Sequence, residues 1–210
     1  MAQNALTPDQ FAEIANVSRE TLDDLLVFVD LLKRWNKQYN LVGSATLSDV
    51  WRRHILDSAQ ILDLIPGTAK SLLDMGSGAG LPGIVLALLM RPRTDVVVTL
   101  LESNKRKCTF LRAVIHTLNL RADVMCCRIE TLEPYPADVV TARAVAPLNR
   151  LLELAMPFLG PASLCVFPKG RHLEVELTEA AKYWSMAVTQ IPSKSDPASR
   201  ILCLEGISRV

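Results

Sequence analysis

The stretch "LLDMGSGAGLPG", Leu72 to Gly83, sets Gly76, Gly78, Gly80 and Gly83 between one apolar run and another, "IVLALLM" at 84–90. A strand, a glycine-rich turn and a helix in that order open a βαβ unit, and in open sheets built from such units ligands bind beyond the carboxyl ends of the strands. The glycines imply that backbone comes within van der Waals distance of something. Gly78, Gly80 and Gly83 satisfy G-x-G-x-x-G, the dinucleotide fingerprint, and Glu102 lies about where that fingerprint places a ribose-binding acid.

Asp74, at the mouth of the turn, separates two ligand classes. A carboxylate there repels a pyrophosphate but attracts the ammonium and sulfonium of S-adenosylmethionine. At ~4 Å and an effective dielectric near 20, each such contact is of order 4 kcal/mol before desolvation. The pattern D-x-G-x-G-x-G, with an acid closing the second strand, therefore reads as a methyltransferase turn, in which Glu102 accepts the ribose hydroxyls.

Outward from the turn, apolar runs of strand length, "SLLDM", "VVVTLLE", "ADVMCC", "ADVVTA" and "SLCVF", alternate with helical stretches at 81–91, 104–118, 147–158 and 171–184. That alternation predicts a parallel sheet with crossover helices. "MAVTQI" and "RILCLEGI" follow, joined by the turn-rich "PSKSDPAS", and predict an antiparallel pair at the sheet's edge. Before residue 66 the pattern is helical. Thr7-Pro8-Asp9-Gln10 reads as a helix start, Leu22, Leu25, Leu26, Val29 and Leu32 mark a helix from about Ser18 to Gln38, and a third helix is expected from Thr46. The reading is an α/β, Rossmann-like seven-stranded sheet at 66–210 with a helical extension at 1–65 packed on it.

Composition bounds the rest. The 210 residues are 50% hydrophobic with a formal charge of +1, which describes a folded domain whose polyanion partners are held by local patches. No targeting signal or membrane-length apolar run is seen, so a cytoplasmic protein is expected. Cys108, Cys126, Cys127, Cys165 and Cys203 contain no C-x-x-C pair, and four of them fall in expected strands; they read as reduced core residues, with no metal role.

"NLVG" at 40–43, "RRHILDSAQ" at 52–60, "DMGSGAGLPGIVLAL" at 74–88, "RIE" at 128–130, "ARAVAPL" at 142–148 and "PKG" at 168–170 resemble, in order and spacing, the RsmG (GidB) family. Its members methylate guanine N7 in the decoding-region loop of 16S ribosomal RNA. The resemblance implies a class I methyltransferase fold and S-adenosylmethionine as cofactor. It places Gly76 and Leu81 at the methionine part, Ile129 and Glu130 beside the adenine, and Arg143 in the cofactor site. It also implies 16S rRNA or the small ribosomal subunit as partner; a monomer suffices.

Acceptor chemistry points the same way. Amino-group enzymes usually place N/D-P-P-Y/F after the fourth strand and cytosine C5 enzymes a cysteine, whereas this chain reads "TARAVAPL". Guanine N7 has a free lone pair, so positioning alone can supply about 7–11 kcal/mol and no catalytic acid or base is expected. Arg143 and Lys169 are the candidates for positioning. For the substrate the candidates are Arg52, Arg53, His54, Lys105, Arg106 and Lys169, the last expected to face the cleft. Each has a structural alternative: His54 as a helix residue bonded to Asp57, the others as solvated charge. A small-molecule methyltransferase and a nicotinamide-binding oxidoreductase are the competing classes.

Overall fold

Thr7 starts the first helix through a reciprocal cap: its hydroxyl accepts the Gln10 N–H while the Gln10 side chain accepts the Thr7 N–H. The computed structural model describes residues 4–210, and in it this helix is α1, Pro8–Ala15. Ser18 caps α2, Arg19–Tyr39, whose leucines and Phe28 make the stripe expected of an amphipathic helix.

The third helix expected from Thr46 is broken. Ser44–Asp49 is a 3₁₀ turn, Trp51–Leu56 a π turn, and only Asp57–Ala59, α3, is α-helical. Thr46 and Asp49 do not cap a helix. Thr46 bonds the Gly43 carbonyl and His54, while Asp49 accepts the Leu6 N–H and the Arg52 guanidinium. The wide π turn is the kind of irregularity that collects at functional sites.

The sheet comprises β1 (Ser71–Met75), β2 (Val97–Leu101), β3 (Ala122–Met125), β4 (Ala137–Ala142), β5 (Leu159–Lys169), β6 (Trp184–Pro192) and β7 (Arg200–Arg209). Their order is β3-β2-β1-β4-β5-β7-β6, parallel from β3 to β5. Strand β7 inserts antiparallel between β5 and β6, which puts β6 at the edge. Cys126 and Cys127 lie just past β3 rather than within it, and all five cysteines are free thiols.

Successive strand residues point to opposite faces, so Leu72 joins one core and Leu73 the other. On the first face α4 (Gly83–Leu89) and α5 (Lys105–Leu118) pack together with α1 and α2; on the second lie α6 (Leu148–Ala155) and α7 (Leu173–Ala180). The N-terminal helices thus share a core with the sheet. Phe110 of α5 is the link, its ring 6.5 Å from Phe28 and 5.5 Å from Trp35. No helix among the described residues is long and apolar enough to cross a membrane.

Phe110 is completely buried. Phe110→Ala should therefore cost about 3–5 kcal/mol of unfolding free energy. A urea midpoint equal to wild type would show that the aromatic bridge contributes little.

Candidate functional site

At the switch point, between β1 and β4, the chain turns from Met75 into α4. The turn is organised by Asp74, which is wholly buried. Its Oδ2 accepts the Gly83 N–H at 3.1 Å and its Oδ1 the Thr141 hydroxyl at 3.0 Å, so one carboxylate ties β1 to α4 and to β4. The sequence reading of Asp74 as a direct contact to a cationic ligand is corrected: the side chain faces the protein, because Gly83 and Thr141 take both oxygens. Burial raises its pKa to about 6, against the lowering effect of hydrogen bonds from Ser77, Thr141 and Gly83 and of the Arg143 charge.

The glycines divide by what excludes a side chain. A Cβ at Gly83 would meet Leu100 and, at 2.6 Å, Asp74 Oδ2, and one at Gly80 would meet Ile84; both positions serve packing. Gly78 differs, since φ is +57° and a Cβ would approach only the Gly76 carbonyl at 3.7 Å, leaving open space at the cavity wall.

Five of the seven N–H groups between Gly76 and Gly83 are committed within the protein. Ser77 donates to the Leu101 carbonyl, Gly80 and Leu81 to Ser77, Gly83 to Asp74, and Gly78 to Glu102 Oε2 at 2.9 Å. A pyrophosphate needs such donors free, so this turn suits a ligand without phosphate there. Glu102 also accepts the Asn104 N–H at 2.7 Å, and each of its oxygens keeps a lone pair.

Beyond the turn opens a cavity of about 590 Å³. Gly76, Gly78 and Leu81 line one end; Arg53, Arg143 and Lys169 are among the residues of the other walls. Arg143, just past β4, donates from Nη1 to Asp57 Oδ2 at 3.1 Å and to the Arg53 carbonyl at 3.2 Å, while Nη2 faces His54 Nδ1 at 3.2 Å. The expected His54–Asp57 bond is therefore replaced by one through Arg143. His54 Nε2 lies 2.7 Å from Thr46 Oγ1. Burial, then the charges of Arg143 and Arg53, lower the His54 pKa to about 4.

Lys169 is expected to face the cleft and does line it, but its ammonium is held by Glu176 at 2.7 Å and the Ala146 carbonyl at 3.2 Å. Arg53 is exposed at the rim, whereas Arg52 bonds Asp49 and the Asn4 carbonyl. Arg52 as a substrate contact is thus corrected to a brace for the N-terminus. Lys105 and Arg106 project from the first turn of α5 and do not line the cavity; Lys107 does. Ile129 and Glu130 also lie elsewhere, on a separate cavity of about 360 Å³, where Glu130 pairs with Arg150.

Ser193 and Ser195, between β6 and β7, line the main cavity without having been singled out in the sequence. Ser195 donates to Asp57 Oδ1 at 2.6 Å, and Lys194 N–H to Gln60 Oε1 at 2.7 Å. Serines in a turn-rich linker carry no signal of such a role; only the fold brings Ser195 back to Asp57 of α3, 138 residues away.

The family model described as rRNA small subunit methyltransferase G matches residues 21–202. The chain belongs to the GidB family. A relative from Paramagnetospirillum magneticum, called ribosomal RNA small subunit methyltransferase G, is 46% identical over 96% of this chain and 97% of its own. One of the same name from Rhodospirillum rubrum is 47% identical over 97% and 100%. Among solved structures, a methyltransferase from Pyrococcus furiosus aligns with TM-score 0.56 at 17% identity over 71% of this chain and 81% of its own. TYW2 from M. jannaschii, in complex with AdoMet, aligns at 0.53 and 17% over 72% and 74%. The GidB chain thus has the α/β fold of class I methyltransferases.

The raised pKa of Asp74 has a definite sign. The folded state holds the Asp74 proton more tightly than the unfolded chain, so this contribution is complete below the ordinary carboxylate value near 3.9 and is lost as pH rises through about 6. Asn at 74 cannot ionise. Asp74→Asn should gain on wild type by roughly 3 kcal/mol between pH 3.5 and pH 7.5 in paired denaturant titrations; a difference independent of pH would mean that Asp74 titrates normally.

Proposed function

We propose that this protein transfers a methyl group from S-adenosylmethionine to N7 of a guanine in the decoding-region loop of 16S rRNA, acting as a monomer in the cytoplasm. The observation that carries the N7 assignment is how few bases the described cavity residues offer: Asp196 is the one lining carboxylate without an ion-pair partner. Asp57 and Glu176 are ion-paired, Asp196 accepts the Ala198 N–H, and no cysteine lines the walls. His54, the cavity's one histidine, has both ring nitrogens engaged. An amino or hydroxyl acceptor would need a proton removed; N7 does not.

The turn fits S-adenosylmethionine by its shape and by the five N–H groups it already commits to the protein. Gly76, Gly78 and Leu81 would hold the methionine portion and Glu102 the ribose, and the bound cofactor supplies an electrophilic methyl group. Ile129 and Glu130 stay with the adenine side in this reading, on the strength of family position. The chain's own contribution is orientation: Gly78 leaves room for close approach, and the post-β4 loop carries Arg143 to the cavity. Electrostatics suit RNA, because Arg53, Lys107, Arg143, Lys169 and Arg200 outnumber the lining carboxylates Asp57, Glu176 and Asp196.

Two measurements test this reading. Single-turnover methylation of small subunits at saturating cofactor should be nearly flat between about pH 6.5 and 8.5, since Asp74 and His54 titrate below that window. Replacing the target with 7-deazaguanine should abolish it. A tenfold rise per pH unit would instead demand an essential deprotonation.

The two arginines should separate. Arg53→Ala is expected to reduce the salt slope of rRNA binding by roughly 0.7–0.9, the loss of one phosphate contact. Arg52→Ala should leave the slope unchanged and lower the melting temperature. Equal slopes for wild type and Arg53→Ala would remove Arg53 from the RNA face.

A further inference from the structure

Arg143 has five N–H donors, and the structure assigns partners to three: Asp57, the Arg53 carbonyl and His54 Nδ1. The two left over are Nε–H and the second Nη2–H. Nε and Nη2 share one edge of the guanidinium, the edge that can receive a carboxylate through two parallel bonds.

The partners that fix this edge are themselves fixed. Thr46 Oγ1 lies 2.6 Å from the Gly43 carbonyl, so its only proton goes there. Toward His54 Nε2, 2.7 Å away, the hydroxyl can then only accept. The imidazole proton is therefore on Nε2, and Nδ1 is a bare lone pair aimed at Arg143. Asp57 is clamped from the other side, its Oδ1 taking the Ser195 hydroxyl at 2.6 Å and the Gln60 amide at 3.2 Å. Arg143 and Asp57 are both less than one-fifth exposed, which limits screening of the pair.

We propose that Asp57 and His54 are positioning residues that hold Arg143 so that its open edge receives the carboxylate of the cofactor's methionine portion. The proposal rests on the methyltransferase reading and adds to it how the cofactor is chosen. Asp57 anchors Nη1, His54 anchors Nη2, and the remaining edge faces a ligand with no rotamer search at the moment of binding. Ser195 extends the brace to the β6–β7 turn.

Calorimetric affinities for S-adenosylhomocysteine and for its decarboxylated analogue test this directly. Wild type should prefer the carboxylated ligand by roughly ten- to a hundredfold, the range for hydrogen bonds to a charged group. In Asp57→Asn the preference should shrink to a few-fold, while affinity for 5′-methylthioadenosine, which lacks the carboxylate, stays at the wild-type value. Thr46→Val, at a half-buried position, frees the imidazole proton to move to Nδ1 and should shrink the preference likewise; it decides the matter if Asp57→Asn does not fold. A wild-type preference in the folded variant, or none in wild type, overturns the positioning role. Failure of wild type to bind either nucleoside overturns the methyltransferase reading itself.

Discussion

The buried carboxylate of Asp74 is the constraint on which the site depends. It lies at the point where the sheet order reverses, and its two oxygens join β1, β4 and the start of α4. Gly83 can come this close only because it lacks a side chain. With Gly83 pulled toward Asp74, the intervening turn closes on its own carbonyls and on Glu102, and the positive-φ glycines follow from the tightness of that path. Burying an acid without a full counter-charge is costly. Here the cost appears as a raised pKa, offset in part by the hydrogen bonds from Gly83 and Thr141.

Closing the turn internally decides what the site can hold. Phosphate-binding turns leave N–H groups unpaired for oxygens, while this one presents a shaped wall with little donor capacity. In the proposed function, recognition then falls to side chains from other segments: Glu102 from the end of β2 and Arg143 from the loop after β4. The same economy governs acceptor chemistry. Asp57, Glu176 and His54 on the described walls already hold partners, so these groups are set to orient and attract rather than to exchange protons, which suits an unprotonated ring nitrogen.

Much of the fold was legible from residue 71 onward because periodicity there is simple. "SLLDM" and "ADVVTA" are the strands β1 and β4 to the residue, and the turn-rich linker marks the antiparallel pair. The segment after Thr46 departs from its helical pattern for a physical reason. Its apolar spacing is helical, but side-chain bonds of Thr46, Asp49 and His54 compete with regular backbone pairing and leave 3₁₀ and π turns where a single helix was expected.

Site residues divide along the same line. Gly76, Gly78, Leu81 and Arg143, the first, third and fourth of them named through the family resemblance, line the cavity because the turn after β1 and the loop after β4 open at strand ends that converge on the cleft. The sequence by itself determined the sheet, the turn and the post-β4 loop, since local patterns of apolar residues and glycine encode them. Only the tertiary structure decided which way charged side chains face. It turned Asp74 inward, set Arg52 against the N-terminus, placed Arg143 between Asp57 and His54, and brought Ser195 onto the wall. A charged group's direction depends on partners distant along the chain, and no local pattern records which partner packing will bring within 3 Å.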